Sequence, residues 1–172
     1  MPIRFADITV ATPTKDSLAA RYQAIEALLE QGAKRQAIEA WDKIRREYDS
    51  WSALVSLRFQ QDTANAEAKQ ARDYADALSP EATGFEIAVK RRLLADADRA
   101  GLETLVGAHA VRLWETDVTT FDPIIAKDLE EEAKLGARYT EILSAAKLEI
   151  NGQTVNLAGI EPFAQADRKS VV

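Results

Sequence analysis

Leu102, Leu105, Val106, His109, Ala110, Leu113 and Trp114 recur every three or four residues. That spacing lays side chains along one face of an α-helix and rules out a strand, whose side chains alternate with a period of two. Similar stripes run through most of the chain, so it must fold by laying helices against one another. Leu18, Tyr22, Ile25 and Leu29 form the first stripe, which begins near Thr14, after Pro13, and ends at Gly32. Ile38, Trp41, Ile44 and Tyr48 form the second. Trp51, Leu54, Val55 and Phe59 continue it, with or without a break at Asp49-Ser50. Residues 64–78 are rich in alanine, which suits a helix approached closely by another. Ser79-Pro80-Glu81 reads as a fresh helix start: a capping serine, a proline in the first turn and an acid at the positive end of the dipole. Phe85, Val89 and Leu93 are the stripe of that helix. After the Leu102–Trp114 helix, Asp122-Pro123 opens a last one that runs to about Ala146 through Ile125, Leu129, Ala133, Gly136, Tyr139 and Leu143.

The period then changes. Leu148-Glu149-Ile150-Asn151-Gly152-Gln153-Thr154-Val155 carries the Asn-Gly pair that favours a type I′ turn, pairing Ile150 with Gln153 and Leu148 with Val155. Leu148, Ile150 and Val155 then share a face that must be covered, because an isolated hairpin is marginal in water. The expected fold is all-α, an antiparallel bundle of about six to seven helices with one short C-terminal β-hairpin. Residues 1–13 are an extended lead-in, residues 14–160 a single helical domain ending in the hairpin (about 147–156), and residues 161–172 a polar tail in which Asp167-Arg168-Lys169 could open a further helix.

The inventory of reactive groups is short. The 172 residues contain one histidine and no cysteine, which removes thiolate chemistry and disulfides. His109 is followed by Ala110-Val111-Arg112, so the H-E-x-x-H pattern that sets two imidazoles one helical turn apart on a zinc ion is absent. Its place on the apolar stripe predicts a partly buried histidine with a hydrogen-bond partner. Nothing in the order of residues brings a serine and an aspartate to it. Glu130-Glu131-Glu132 fans around a helix, with Glu130 one turn from Lys134, and reads as a solvated face. Lys90-Arg91-Arg92 reads as the solvent side of a helix C-terminus, where positive charge suits the dipole. Trp41 and Trp114 fit apolar stripes, whereas Trp51, near a possible helix junction, is the better interface residue. No phosphate-binding glycine loop is present. The net charge of −6 disfavours nucleic acid, and no apolar run is long enough to span a membrane. With no signal-like N-terminus, a cytoplasmic location follows by default. No catalytic, cofactor-binding or metal-binding residue is therefore expected in this chain.

The order of segments resembles oligoendopeptidase F-type enzymes of peptidase family M3, in their helical N-terminal region. The similar stretches are Ala37-Ile38-Glu39-Ala40-Trp41 with Ile44-Arg45, and Phe59-Gln60-Gln61-Asp62-Thr63. Arg112-Leu113-Trp114-Glu115 then leads through Phe121-Asp122-Pro123 to Asp128-Leu129-Glu130-Glu131-Glu132-Ala133-Lys134-Leu135 and Arg138-Tyr139-Thr140-Glu141. The hairpin with Asn151-Gly152, then Asn156-Leu157-Ala158-Gly159-Ile160 and Asp167-Arg168, complete it. The resemblance implies a zinc endopeptidase acting on short peptides in a channel, whose metal ligands lie downstream of anything present here. The chain would be the non-catalytic N-terminal domain, forming part of the channel wall. Its partner would be the catalytic domain, or another copy of itself, through exposed apolar surface, with peptides as possible ligands. The alternative is a stand-alone helical interaction module without enzymatic activity.

Overall fold

The structure is a computed structural model that describes residues 8–163. The first seven residues of the lead-in and the Asp167-Arg168-Lys169 helix start lie outside the described residues. Six α-helices follow one another among them: α1 Lys15–Glu30, α2 Lys34–Gln61, α3 Ala66–Leu94, α4 Arg99–Val106, α5 Ala108–Thr120 and α6 Ala126–Ala145. A 3-10 turn at Pro123–Ile125 leads into α6, and the strands β1 Leu148–Ile150 and β2 Gln153–Val155 close the hairpin ahead of a second 3-10 turn at Leu157–Ile160. The bundle with its C-terminal hairpin is the expected class.

Local chemistry accounts for most helix ends. Thr14 caps α1 in a capping box: its hydroxyl accepts from Ser17 N (3.1 Å), and Thr14 N donates to the Ser17 hydroxyl (2.8 Å). At the other end Gly32 takes φ 74°, and the bonds Ala33 N to Leu28 O (2.9 Å) and Gly32 N to Leu29 O (3.1 Å) form the two closures of a Schellman motif. The hairpin has the expected register, Leu148 opposite Val155 and Ile150 opposite Gln153, with Asn151 at φ 52° and Gly152 at φ 76° as a type I′ turn requires.

Of the two alternatives at Asp49-Ser50 the continuous one holds: α2 runs through, since no glycine or proline interrupts it. Three boundaries differ from the sequence reading. Ser79-Pro80 starts no helix. Pro80 sits inside the 29-residue α3, where it removes one backbone donor and crowds the carbonyl of Asp76. Ser79 lies within α3, its carbonyl accepting from the Thr83 hydroxyl at 3.0 Å, and caps no helix. Packing of a long helix against α1, α2, α5 and α6 outweighs the local break. The stripe Leu102–Trp114, in contrast, is two helices: Gly107 at φ 89°, ψ 142° ends α4 and begins α5. The turn resets the helical phase, so Val111 becomes fully buried while Leu113 is 51% exposed. His109 is exposed, not partly buried, and no hydrogen bond to it is found among the described residues. Finally, residues 161–163, the first of the expected polar tail, are helical.

The core lies between α1, α2 and α3 and is closed by α4 and α5. Leu18, Ile25, Trp41, Val89, Leu93, Leu102 and Val111 are each no more than 2% exposed. Trp41 is its centre, tilted against Trp114 at 5.1 Å between ring centroids, with the Lys90 ammonium 5.9 Å and the Arg45 guanidinium 5.6 Å from its ring. Contacts of this kind add about 0.5–1 kcal/mol each to the area that an indole buries. Trp51 also belongs to the core, at 3% exposure between Tyr48 and Tyr74. Its proposed interface role is therefore overturned, because the continuous α2 turns it inward. Among the described residues no helix is long and apolar enough to cross a membrane.

Candidate functional site

Two features stand out from the packed bundle: a polar cavity beside Pro80 and an uncovered apolar face on α6. The cavity is formed where α2, α3 and α6 meet, holds about 370 Å3 and is lined by Ser52, Ser56, Arg72, Asp76, Ser79 and Thr83 among others. A neighbouring pocket of about 310 Å3 shares Ser52, Ser79 and Thr83 and reaches Tyr22, Tyr48 and Glu86. Asp76, only 7% exposed, is the single buried charged residue among the described residues. Arg72 Nε lies 2.8 Å from its carboxylate, and Arg72 Nη1 donates to the Ser56 hydroxyl at 2.6 Å. A carboxylate in such a place must keep its cation, since an unpaired buried charge is strongly destabilising. Burial raises the pKa of both Tyr22 and Tyr48, so these phenols stay neutral. The hydroxyls have no imidazole beside them, so the cavity offers hydrogen bonds but no activated nucleophile.

The remaining perturbed groups are structural ties at the surface. The Lys34 ammonium, 2.8 Å from Asp96, holds that carboxyl below its ordinary range, and its own pKa is raised in return. Arg99 joins Glu115 (2.6 Å) and Glu103 (3.0 Å), linking α4 to α5 across the Gly107 turn. Glu115 is held low by the same contact. Lys90 departs from its expected solvent position: its side chain is 12% exposed and bonds Asp117 at 2.9 Å, leaving only Arg91 and Arg92 outward. Glu130 pairs with Lys134 at 2.6 Å as anticipated, beside the exposed Glu131 and Glu132.

Helix α6 packs on α3, with Leu129, Ala133, Ala137 and Thr140 half-buried, and none of its described side chains is fully buried. The Lys69–Glu141 ion pair fastens the two helices. Tyr139 and Leu143, expected on the covered stripe, are instead 63% and 38% exposed. Leu135 (60%) and Ile142 (61%) join Tyr139 at spacings of four and three, a second stripe on the outer side. Ile124 is 81% exposed at the start of the same segment, and Leu148 and Leu157 are 37% and 40% exposed beyond its end. The cue was present in the order of residues: Leu135 and Ile142 fit no position of the stripe that runs through Leu129 and Ala133.

A zinc ion does not fit these residues. Among the described residues no group of three or more histidine, aspartate or glutamate side chains is arranged to hold a metal, and the lone histidine stands apart and exposed.

No curated protein matches the chain. Among solved structures, an assigned oligoendopeptidase F is similar with a TM-score of 0.89 and 27% identity over 98% of this chain and 32% of its own. PZ peptidase A, solved with an inhibitor, gives 0.87 and 25% over 97% and 32%. An assigned oligoendopeptidase F from Bacillus anthracis str. Ames gives 0.87 and 26% over 96% and 32%. The chain thus spans about a third of the length of these solved structures. Residues 5–121 match the Peptidase M3 N-terminal domain, the part that contains α1 to α5 and the whole aromatic core. The chain belongs to the peptidase M3 N-terminal domain family.

Proposed function

We propose that this chain is the non-catalytic helical domain of an oligoendopeptidase F-like zinc metallopeptidase and forms part of the wall of its peptide channel. The observation that carries the reading is the alignment of nearly the whole chain onto about a third of the neighbouring structures. The described residues meanwhile offer no cluster of metal-binding side chains. Hydrolysis of a peptide by zinc needs several converging ligands and an activated water. Those groups would come from the remainder of the enzyme. This domain's contribution is shape: a rigid bundle, held by a continuous aromatic core, that narrows access to short extended peptides. In the longer enzyme the catalytic region is the natural cover for the apolar surface that α6 leaves open.

The test is metal analysis of the purified chain together with a fluorogenic-peptide assay. The expected result is no stoichiometric zinc and no turnover by the chain alone, with turnover when it is joined to a catalytic region carrying H-E-x-x-H. Tight zinc with peptide cleavage by the chain alone would overturn the proposal. The competing reading, a stand-alone interaction module, is favoured by the same open face; a stable partner unrelated to peptidases and seated on α6 would decide for it.

A further inference from the structure

The chain has three asparagines, and two of them are engaged. Asn65 caps α3, its side-chain oxygen accepting from Ala68 N at 3.0 Å. Asn156 caps the 3-10 turn at Leu157–Ile160, accepting from Gly159 N at 2.9 Å. Asn151, at the tip of the hairpin, is exposed at φ 52°, and its side chain has no hydrogen bond among the described residues. It alone of the three is followed by glycine. Gly152 is exposed at φ 76°, and a Cβ added there would meet no atom within 4 Å, so the space around it is open. We propose that Asn151-Gly152 is a self-modifying site, at which the asparagine is converted to isoaspartate and the hairpin is thereby dismantled.

The reaction uses only the turn and water. The Gly152 backbone nitrogen, after giving its proton to hydroxide, attacks Asn151 Cγ. A bond from nitrogen to Cγ forms, the Cγ–Nδ2 bond breaks, and the side-chain amide leaves as ammonia with a proton taken from water. The product is a five-membered succinimide. Water then adds to either carbonyl of the ring. Opening at Cγ yields aspartate. Opening at the Asn151 main-chain carbonyl yields isoaspartate, in which the chain runs on through Cγ. Glycine favours the closure because no Cβ crowds the attacking nitrogen. The paired turn resists it, since the ring needs backbone angles that a type I′ turn does not supply. That resistance is small here, because each strand is three residues long and an isolated hairpin is marginal in water. The two products differ in effect. Asp-Gly suits a type I′ turn much as Asn-Gly does. Isoaspartate adds a main-chain carbon inside the turn, so Leu148 no longer falls opposite Val155 nor Ile150 opposite Gln153. The half-buried Ile150 and Val155 are then released. None of this draws on the channel reading.

Ageing the purified 172-residue chain in mildly alkaline buffer tests the proposal. Peptide mapping by mass spectrometry reads the loss of each asparagine amide, and enzymatic methyl transfer to the free α-carboxyl reads isoaspartate. Asn151 should lose its amide roughly tenfold or more faster than Asn65 or Asn156, because breaking a cap bond of ordinary strength imposes about that factor alone. In the isoaspartyl fraction, NMR should show the cross-strand contact between Glu149 and Thr154 lost and the helical core kept, while the aspartyl fraction keeps both. Asn151→Gly supplies the control. Gly-Gly still permits the turn, so the contact should remain and methyl acceptance at this position should vanish. Three results overturn the proposal: amide loss at Asn151 no faster than at the two capping asparagines, an isoaspartyl fraction that keeps the Glu149–Thr154 contact, or undiminished methyl acceptance in Asn151→Gly. None of them bears on zinc or peptide turnover, so the channel reading stands or falls by its own measurements.

Discussion

Replacing Gly107 with alanine isolates the one backbone feature that divides the fifth stripe into two helices. Gly107 adopts φ 89°, ψ 142°, a conformation reached by glycine and rarely by residues with a side chain. A Cβ built there meets no atom within 4 Å, so steric crowding adds nothing and the cost is conformational. Such strain is worth on the order of 1–3 kcal/mol. The chain could escape it only by straightening into one helix, which would rotate Val111, fully buried, out of the core. It would also separate Arg99 from Glu115, now 2.6 Å apart. A loss of about 2 kcal/mol is expected, equivalent to a fall of roughly 4–8 °C in melting temperature for a domain of this size. Gly84 supplies the control: it lies inside α3 with nothing within 4 Å of an added Cβ. There alanine should stabilise by about 0.5–1 kcal/mol. Urea unfolding of the two variants beside wild type is the assay. If Gly107→Ala proved as stable as wild type or more so, the helix break would not depend on left-handed backbone. Leu102 to Trp114 would then be one helix after all.

Thr14→Ala removes the hydroxyl that accepts from Ser17 N, one of the two closures of the α1 capping box, and should cost about 1 kcal/mol in the same unfolding assay. Arg72→Met leaves Asp76 buried without its cation and should destabilise by about 3–5 kcal/mol, whereas Arg72→Met combined with Asp76→Leu should recover much of the loss; equal losses would show that the pair is not coupled. Tyr22 has its pKa raised by burial, so the folded state binds a proton that the unfolded state gives up. Its contribution to stability is complete below about pH 10, the ordinary tyrosine value, and falls as the pH rises beyond it; Tyr22→Phe should flatten that alkaline decline, read from urea midpoints. At the acid end, Asp96 is held low by Lys34, so its stabilisation is present at neutral pH and lost as the pH falls toward its folded pKa. NMR titration should show that carboxyl shifting upward in Lys34→Met.

The composition and the stripes were enough to establish a helical bundle, because apolar periodicity is written locally into the order of residues. The hairpin and its register followed from Asn151-Gly152 alone, since the turn type dictates which residues face each other. A lone histidine and the absence of cysteine bounded the chemistry before any fold was known. The tertiary structure decided where helices continue and which faces are covered. Pro80 stays inside α3 because neighbouring helices hold both of its flanks, a cooperation that no dipeptide signal records. His109 points outward because a turn at Gly107 changed the phase of everything after it. On α6, two apolar stripes were both present in the sequence, and only packing on α3 selected the one that is covered. Periodicity orders side chains around a helix, but which side meets the core depends on segments distant along the chain.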